Sequence, residues 1–231
     1  MKKIWCAVVV MSCVALWSGA LGRADEKDDH HGGGAGLTAA QASAIFLKCQ
    51  EVAAKTPSPL RNTPGTKMWC AVVDREGELL LIEATDTGGT PATPGGSDAW
   101  RGSIEIAIAK AYTAVAFSSN DLSLDSKTIG LLARTDGPGS TAPGDIGTNA
   151  GVAPLFGIGN TNPFRPLTGR EAGDDGTGKR HHGIVTFAGG QPVYSCGGAL
   201  LGAVGVSGDG VDQDDAVAKG AVTEAGFCTA P

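Results

Sequence analysis

Basic residues are scarce in this chain, and the scarcity removes whole classes of function. Lys and Arg number 18 against 24 Asp and Glu. Three of the basic residues, Lys2, Lys3 and Arg23, fall in the first 24 positions, so the remainder carries 15 against 24, a net charge of −9. Nucleic acids and anionic membrane surfaces select basic patches, so neither is an expected partner. Cys-x-x-Cys pairs are missing too, which argues against the common zinc modules. No Gly-x-Ser-x-Gly is present, and Ser207 in Val-Ser-Gly-Asp-Gly is therefore no hydrolase elbow. The aspartates of 209–215 lack EF-hand spacing.

What is present at the start reads as an export signal. Lys2 and Lys3 precede the apolar run Ile4–Leu21, and Gly22-Arg23-Ala24 puts small residues at −3 and −1 of a cleavage site. An uncleaved anchor and a lipidated Cys13 are the competing readings. A periplasmic or secreted location follows from the first, with no membrane contact after cleavage. Cys49, Cys70, Cys196 and Cys228 then remain. In an oxidising compartment they predict two disulfides, with three connectivities open; a zinc site and free core thiols are the alternatives.

Residues 25–36 are charged and Gly-rich, a predicted disordered lead-in to one domain over 37–228. Leu37–Lys55 is a predicted helix, opened by a Thr38/Gln41 capping box and stopped at Thr56-Pro57-Ser58-Pro59. Met68–Asp74 and Glu78–Ala84 predict a β-hairpin, and Thr85–Ser97 a loop. Asp98–Phe117 predicts a second helix and Leu122–Leu132 a shorter one. Residues 134–182 hold eleven glycines and five prolines without periodicity. So long a stretch inside a domain is a functional or disordered insertion, and its apolar islands Val152–Phe156 and Phe164 suggest a partly packed excursion. Ile184–Ala188, Pro192–Cys196 and Leu200–Val206 then predict three antiparallel strands with turns at Gly189-Gly190 and Gly197-Gly198. A last helix through Ala216–Ala225 is predicted to start among Asp209, Asp212, Asp214 and Asp215, whose charges suit the free N–H groups there. The element order points to an α+β (α/β) fold, a five-stranded, mostly antiparallel sheet with helices packed on it.

Five short stretches carry a resemblance. They are Leu37-Thr38, Ala71-Val72-Val73-Asp74 with Gly77, Ile106 through Ala114 around Lys110, Gly189-Gly190-Gln191-Pro192-Val193-Tyr194, and Leu201–Asp215. In this order they resemble the HbpS/GlcG-like haem-binding family, which includes the C-terminal domain of PduO-type cobalamin adenosyltransferases. The resemblance spans most of Leu37–Phe227 apart from the 134–182 insertion. It implies a profilin-like fold, homo-oligomers and, in some members, non-covalent haem. It assigns no catalytic residue.

Haem is thus the expected small-molecule ligand, held for capture, storage or sensing. A haem-degrading or other redox enzyme and a ligand-free partner-binding module are the alternatives. Without Cys-x-x-Cys-His, attachment would rest on packing and an axial donor. His181 and His182 are the leading cofactor-binding candidates, being the only histidines beyond the lead-in. Lys110, mid-helix among Ala and Ile, is a further candidate; Tyr112, Tyr194 and Cys196 are weaker alternative donors, for which core packing is the plainer reading. Asp28-Asp29-His30-His31 reads as a solvated spacer rather than a metal site. The expected pocket lies between the sheet, the Asp98–Phe117 helix and the insertion.

Overall fold

The structure, a computed structural model, describes residues 36–87, 97–133 and 183–231. These form α1 (Ala39–Lys55), β1 (Trp69–Asp74), β2 (Leu79–Ala84), α2 (Ser103–Ala116), α3 (Ser126–Ala133), β3 (Gly190–Tyr194), β4 (Leu200–Ser207) and α4 (Val211–Glu224). The lead-in, the 134–182 insertion and residues 88–96 lie outside the described residues, as do Val152–Phe156, Phe164 and all four histidines.

The sheet runs β2-β1-β4-β3, antiparallel throughout. Alternation along its strands separates two cores. Cys70, Val72, Val204 and Val206 face α1 and α4, meeting Ile45, Phe46, Val217 and Val222. Ala71, Val73 and Ala203 face α2, meeting Ala107, Ile108 and Ala111. Strand β1 is therefore apolar on both faces because helices cover both. Each fully buried Val or Ile contributes about 1.5–3 kcal/mol, so these two layers are the main source of stability.

Helix α1 begins as its sequence predicts. Thr38 Oγ1 accepts from the Gln41 N–H at 3.3 Å, and Gln41 Oε1 accepts from the Thr38 N–H at 2.9 Å. Helix α2 lies unusually close to the sheet. A methyl group at Gly205 would stand 2.0 Å from the Ala107 carbonyl oxygen, and one at Gly190 would stand 2.3 Å from that of Lys110. Only glycine admits the helix at this depth, and the depth lets Lys110 reach the end of β4.

Four strands are present among the described residues, where five were expected. Ile184–Ala188 forms no ladder, because its polar groups go to helix side chains. The Val185 N–H donates to Thr113 Oγ1 at 2.8 Å, and Ser126 Oγ donates to the Phe187 carbonyl at 2.7 Å. Gly189-Gly190 is consequently the entry to β3 rather than a hairpin turn. Strand β3 is the sheet edge, and Pro192 is tolerated there for a geometric reason. The Gly190 N–H goes outward to Ser126 Oγ at 2.9 Å and the Tyr194 N–H outward to the Cys228 carbonyl at 2.8 Å. Alternation turns residue 192 outward as well, where a missing N–H costs no ladder bond.

Two disulfides resolve the three open connectivities. Cys49–Cys70 pins α1 to β1, and Cys196–Cys228 pins the β3–β4 connection to the C-terminal segment.

Candidate functional site

Lys110 is the most conspicuous chemical group among the described residues. It sits in the apolar run of α2 with no exposed surface. Its Nζ donates to Asp214 Oδ2 at 2.6 Å and to the Val206 carbonyl at 2.9 Å. The Phe187 ring covers the remaining side, its centroid 4.9 Å from Nζ. Phe187 itself is 40% exposed.

Backbone geometry builds this arrangement. Strand β4 delivers the Val206 carbonyl, and the turn at Gly208 starts α4 so that Asp214 returns beneath it. Gly189, at φ +112°, has no room for a side chain: a methyl there would lie 2.5 Å from the Val206 oxygen and 2.8 Å from Lys110 Nζ. Ser126 then clamps both sides of Gly189 by accepting from the Gly190 N–H and donating to the Phe187 carbonyl.

Burial works against both charges. It pushes the Lys110 ammonium below the ordinary lysine range, against the opposing pull of Asp214. It lifts the Asp214 carboxyl above the ordinary carboxylate range, against the opposing pull of Lys110. Both directions favour the neutral amine and the neutral acid.

The aspartate cluster does not cap α4 as expected. The helix starts earlier, at Val211, its N-cap is Gly210, and no side chain caps it. Asp214 lies inside the first turn and turns into the core, where Lys110 compensates its charge. Its Oδ1 accepts from the Asp209 N–H at 3.2 Å. The buried Asp209 carboxylate accepts from Ser58 Oγ and from the Gly210 N–H. It also lies 3.9 Å from Arg61 Nη1, and that guanidinium stacks 4.7 Å above the Trp100 ring. Asp212 is exposed, and Asp215 pairs with Lys219 one turn on.

The sequence candidates do not converge. Two residues along a helix differ by about 200° in direction, so Lys110 and Tyr112 leave α2 on different sides. Tyr112 packs its ring against Gly77 in the β1–β2 turn, where an added methyl would meet Cδ2 at 2.7 Å. Tyr194 is fully buried, with its hydroxyl proton shared between the Ser119 and Leu122 carbonyls at 2.8 and 3.0 Å. Cys196 is half of a disulfide. His181 and His182, directly before Gly183, lie outside the described residues.

Sequence reasoning missed Asp214, Phe187, Thr113 and Ser126. One signal was available: a buried lysine with no acidic neighbour on its helix face needs an anion from elsewhere. Its location, 104 residues away, was not legible.

The comparisons with known proteins follow the fold. The structure of the PduOC:Heme complex matches at 22% identity with a TM-score of 0.51, over 85% of this chain and 99% of that one. The Klebsiella pneumoniae protein ORFY matches at 23% identity with a TM-score of 0.48, over 81% and 88%. A double mutant of Streptomyces reticuli HbpS matches at 21% identity with a TM-score of 0.46, over 94% and 98%. No curated protein matches. The model of the family described as "Haem degrading protein HbpS-like" matches residues 37–223, which include every described helix and strand but the last residue of α4. The chain belongs to the HbpS-like family.

Proposed function

We propose that this is an exported protein that binds haem non-covalently, as a homo-oligomer, for capture, storage or sensing outside the cytoplasm. The observation that carries the reading is the family match over residues 37–223. A chain of the same fold has been solved with haem. Two disulfides support an oxidising compartment and hence the leader over residues 1–24.

The donor chemistry of the described residues narrows where iron would be held. All four cysteines that remain after the leader are in disulfides. The Lys110 amine is engaged with Asp214, and the Tyr194 phenol is engaged with two carbonyls. The proposal therefore gives the axial position to His181 or His182, whose neutral imidazole is a common iron donor. They immediately precede a segment that Thr113, Ser126 and Lys110 hold in place. Bound haem would supply an iron centre for ligand exchange or electron transfer. This chain would supply the donor, the aromatic Phe187 and a water-poor wall.

The test is a hemin titration of the exported, disulfide-bonded protein followed in the visible spectrum. A saturable Soret shift is expected, and its absence overturns the reading. Replacement of His181 and His182 by Ala is expected to alter the band; an unchanged spectrum removes them as donors. The family's description favours one second reading, haem degradation. Loss of the Soret band with peroxide or a reductant would identify it.

A further inference from the structure

We infer that Cys196–Cys228 is a thiol-sensitive latch: a dithiol reductant opens it while the fold stays closed, and the C-terminal strap over residues 228–231 then leaves the sheet edge. The latch is independent of haem binding, and its test needs no haem.

Three observations carry it. First, the two disulfides differ in access. Cys49 and Cys70 have no exposed surface and lie sealed between α1 and β1. Cys196 is exposed, and Cys228 is only half-buried. Thiol–disulfide exchange needs a thiolate in contact with a sulfur atom, so access decides which bond reacts. Second, the sealed bond keeps the core tied when the exposed one opens. The core of α1 and α4 contains both Cys49 and Cys70, whereas Cys228 meets the α2 core only at its margin. Phe227 packs against the core of α1 and α4 and marks the root of the strap. Third, little besides the covalent bond holds the strap. The Tyr194 N–H donates to the Cys228 carbonyl at 2.8 Å, and the Cys228 N–H returns to the Tyr194 carbonyl at 3.0 Å. Ser123 Oγ donates to the Thr229 carbonyl at 2.7 Å. Ala230 and Pro231 are exposed. Hydrogen bonds at an exposed edge compete with water and contribute modestly, so the disulfide is the main constraint on this segment.

The exchange balances with a dithiol as the reductant. One of its thiolates attacks Cys196 Sγ, the more exposed sulfur. The S–S bond breaks, and Cys228 leaves as a thiolate that takes a proton from water. The second thiol of the reductant then displaces Cys196. The protein disulfide gains two electrons and becomes two thiols, while the dithiol becomes a cyclic disulfide. Opening hands the outward backbone groups of Tyr194 to water and deprives Ser123 of its acceptor. The Tyr194 hydroxyl keeps its bonds to the Ser119 and Leu122 carbonyls, so β3 stays in the sheet. The fold thus converts the thiol–disulfide state of its surroundings into the order or release of one short segment.

The experiment treats the folded, disulfide-bonded protein with dithiothreitol at neutral pH, followed by iodoacetamide and peptide mass spectrometry. Cys196 and Cys228 are expected to alkylate at least about a hundredfold faster than Cys49 and Cys70, since a sealed bond reacts only in the small fraction of opened molecules. Amide hydrogen exchange on the reduced, alkylated protein is expected to show lost protection at Tyr194 and Cys228 and retained protection at Val72 and Val204. The double variant Cys196→Ser with Cys228→Ser is expected to show the same exchange pattern without reductant. Equal alkylation of all four cysteines overturns the proposal. So does Tyr194 and Cys228 protection that survives reduction, or a loss that spreads to Val72 and Val204.

Discussion

Removing one member of the Lys110–Asp214 pair should cost far more than removing both. At 2.6 Å the attraction is about 6 kcal/mol for an effective dielectric of about 20. Desolvation costs several kcal/mol for each ion, so the intact pair contributes little net stability. Asp214→Asn leaves an ammonium with no exposed surface and only the Val206 carbonyl as a strong partner. The expected loss is about 3–5 kcal/mol. In a domain of this size that lowers Tm by about 6–20 °C. The double replacement Lys110→Met with Asp214→Leu should recover most of the loss, because two apolar side chains of similar volume need no counter-charge. Thermal melts of the disulfide-bonded protein by circular dichroism measure all three. A loss below about 1 kcal/mol in Asp214→Asn, or a double variant less stable than that single one, would refute the argument that desolvation and pairing nearly cancel.

Three further outcomes are expected. Gly189→Ala combines a φ of +112° with a contact of 2.5 Å to the Val206 oxygen, so it should destabilise by at least about 1–3 kcal/mol in urea unfolding; wild-type stability would show that the segment shifts without cost. Replacing Cys196 and Cys228 by Ser removes a link that closes a sequence separation of 32 and should cost about 3–4 kcal/mol; an unchanged midpoint in denaturant would contradict this. Lys67 holds the exposed Asp98 carboxyl below the ordinary aspartate range through its hydrogen bond. Lys67→Ala should therefore let Asp98 titrate at a higher pH, read by NMR of the carboxyl carbon; a value that does not move would mean the pair is open in solution.

The legible parts of this fold are the ones that local chemistry decides. The Thr38/Gln41 box set the start of α1 because both partners lie within one turn. The continuous apolar, β-prone run of β1 and the Gly-rich turn at 197–198 placed their elements within a residue or two. Ile184–Ala188 read as a strand because apolar β-prone residues satisfy that pattern, yet strand formation needs a neighbour with free backbone groups. Here the hydroxyls of Thr113 and Ser126 took those bonds instead. The acidic run before α4 misled for a similar reason. A helix start tolerates aspartates generically, whereas the requirement that decided Asp214 came from a lysine on another helix.

What the sequence determined by itself was therefore the family, the helix and strand order with one strand too many, and the presence of four cysteines able to pair. Each rests on neighbours in the chain or on short stretches kept in order. The tertiary structure decided the pairing of those cysteines, the depth at which α2 lies on Gly205 and Gly190, and the meeting of Lys110 with Asp214 beneath Phe187. None of these is a local property. Each depends on which groups are denied water together, and only the packed chain determines that.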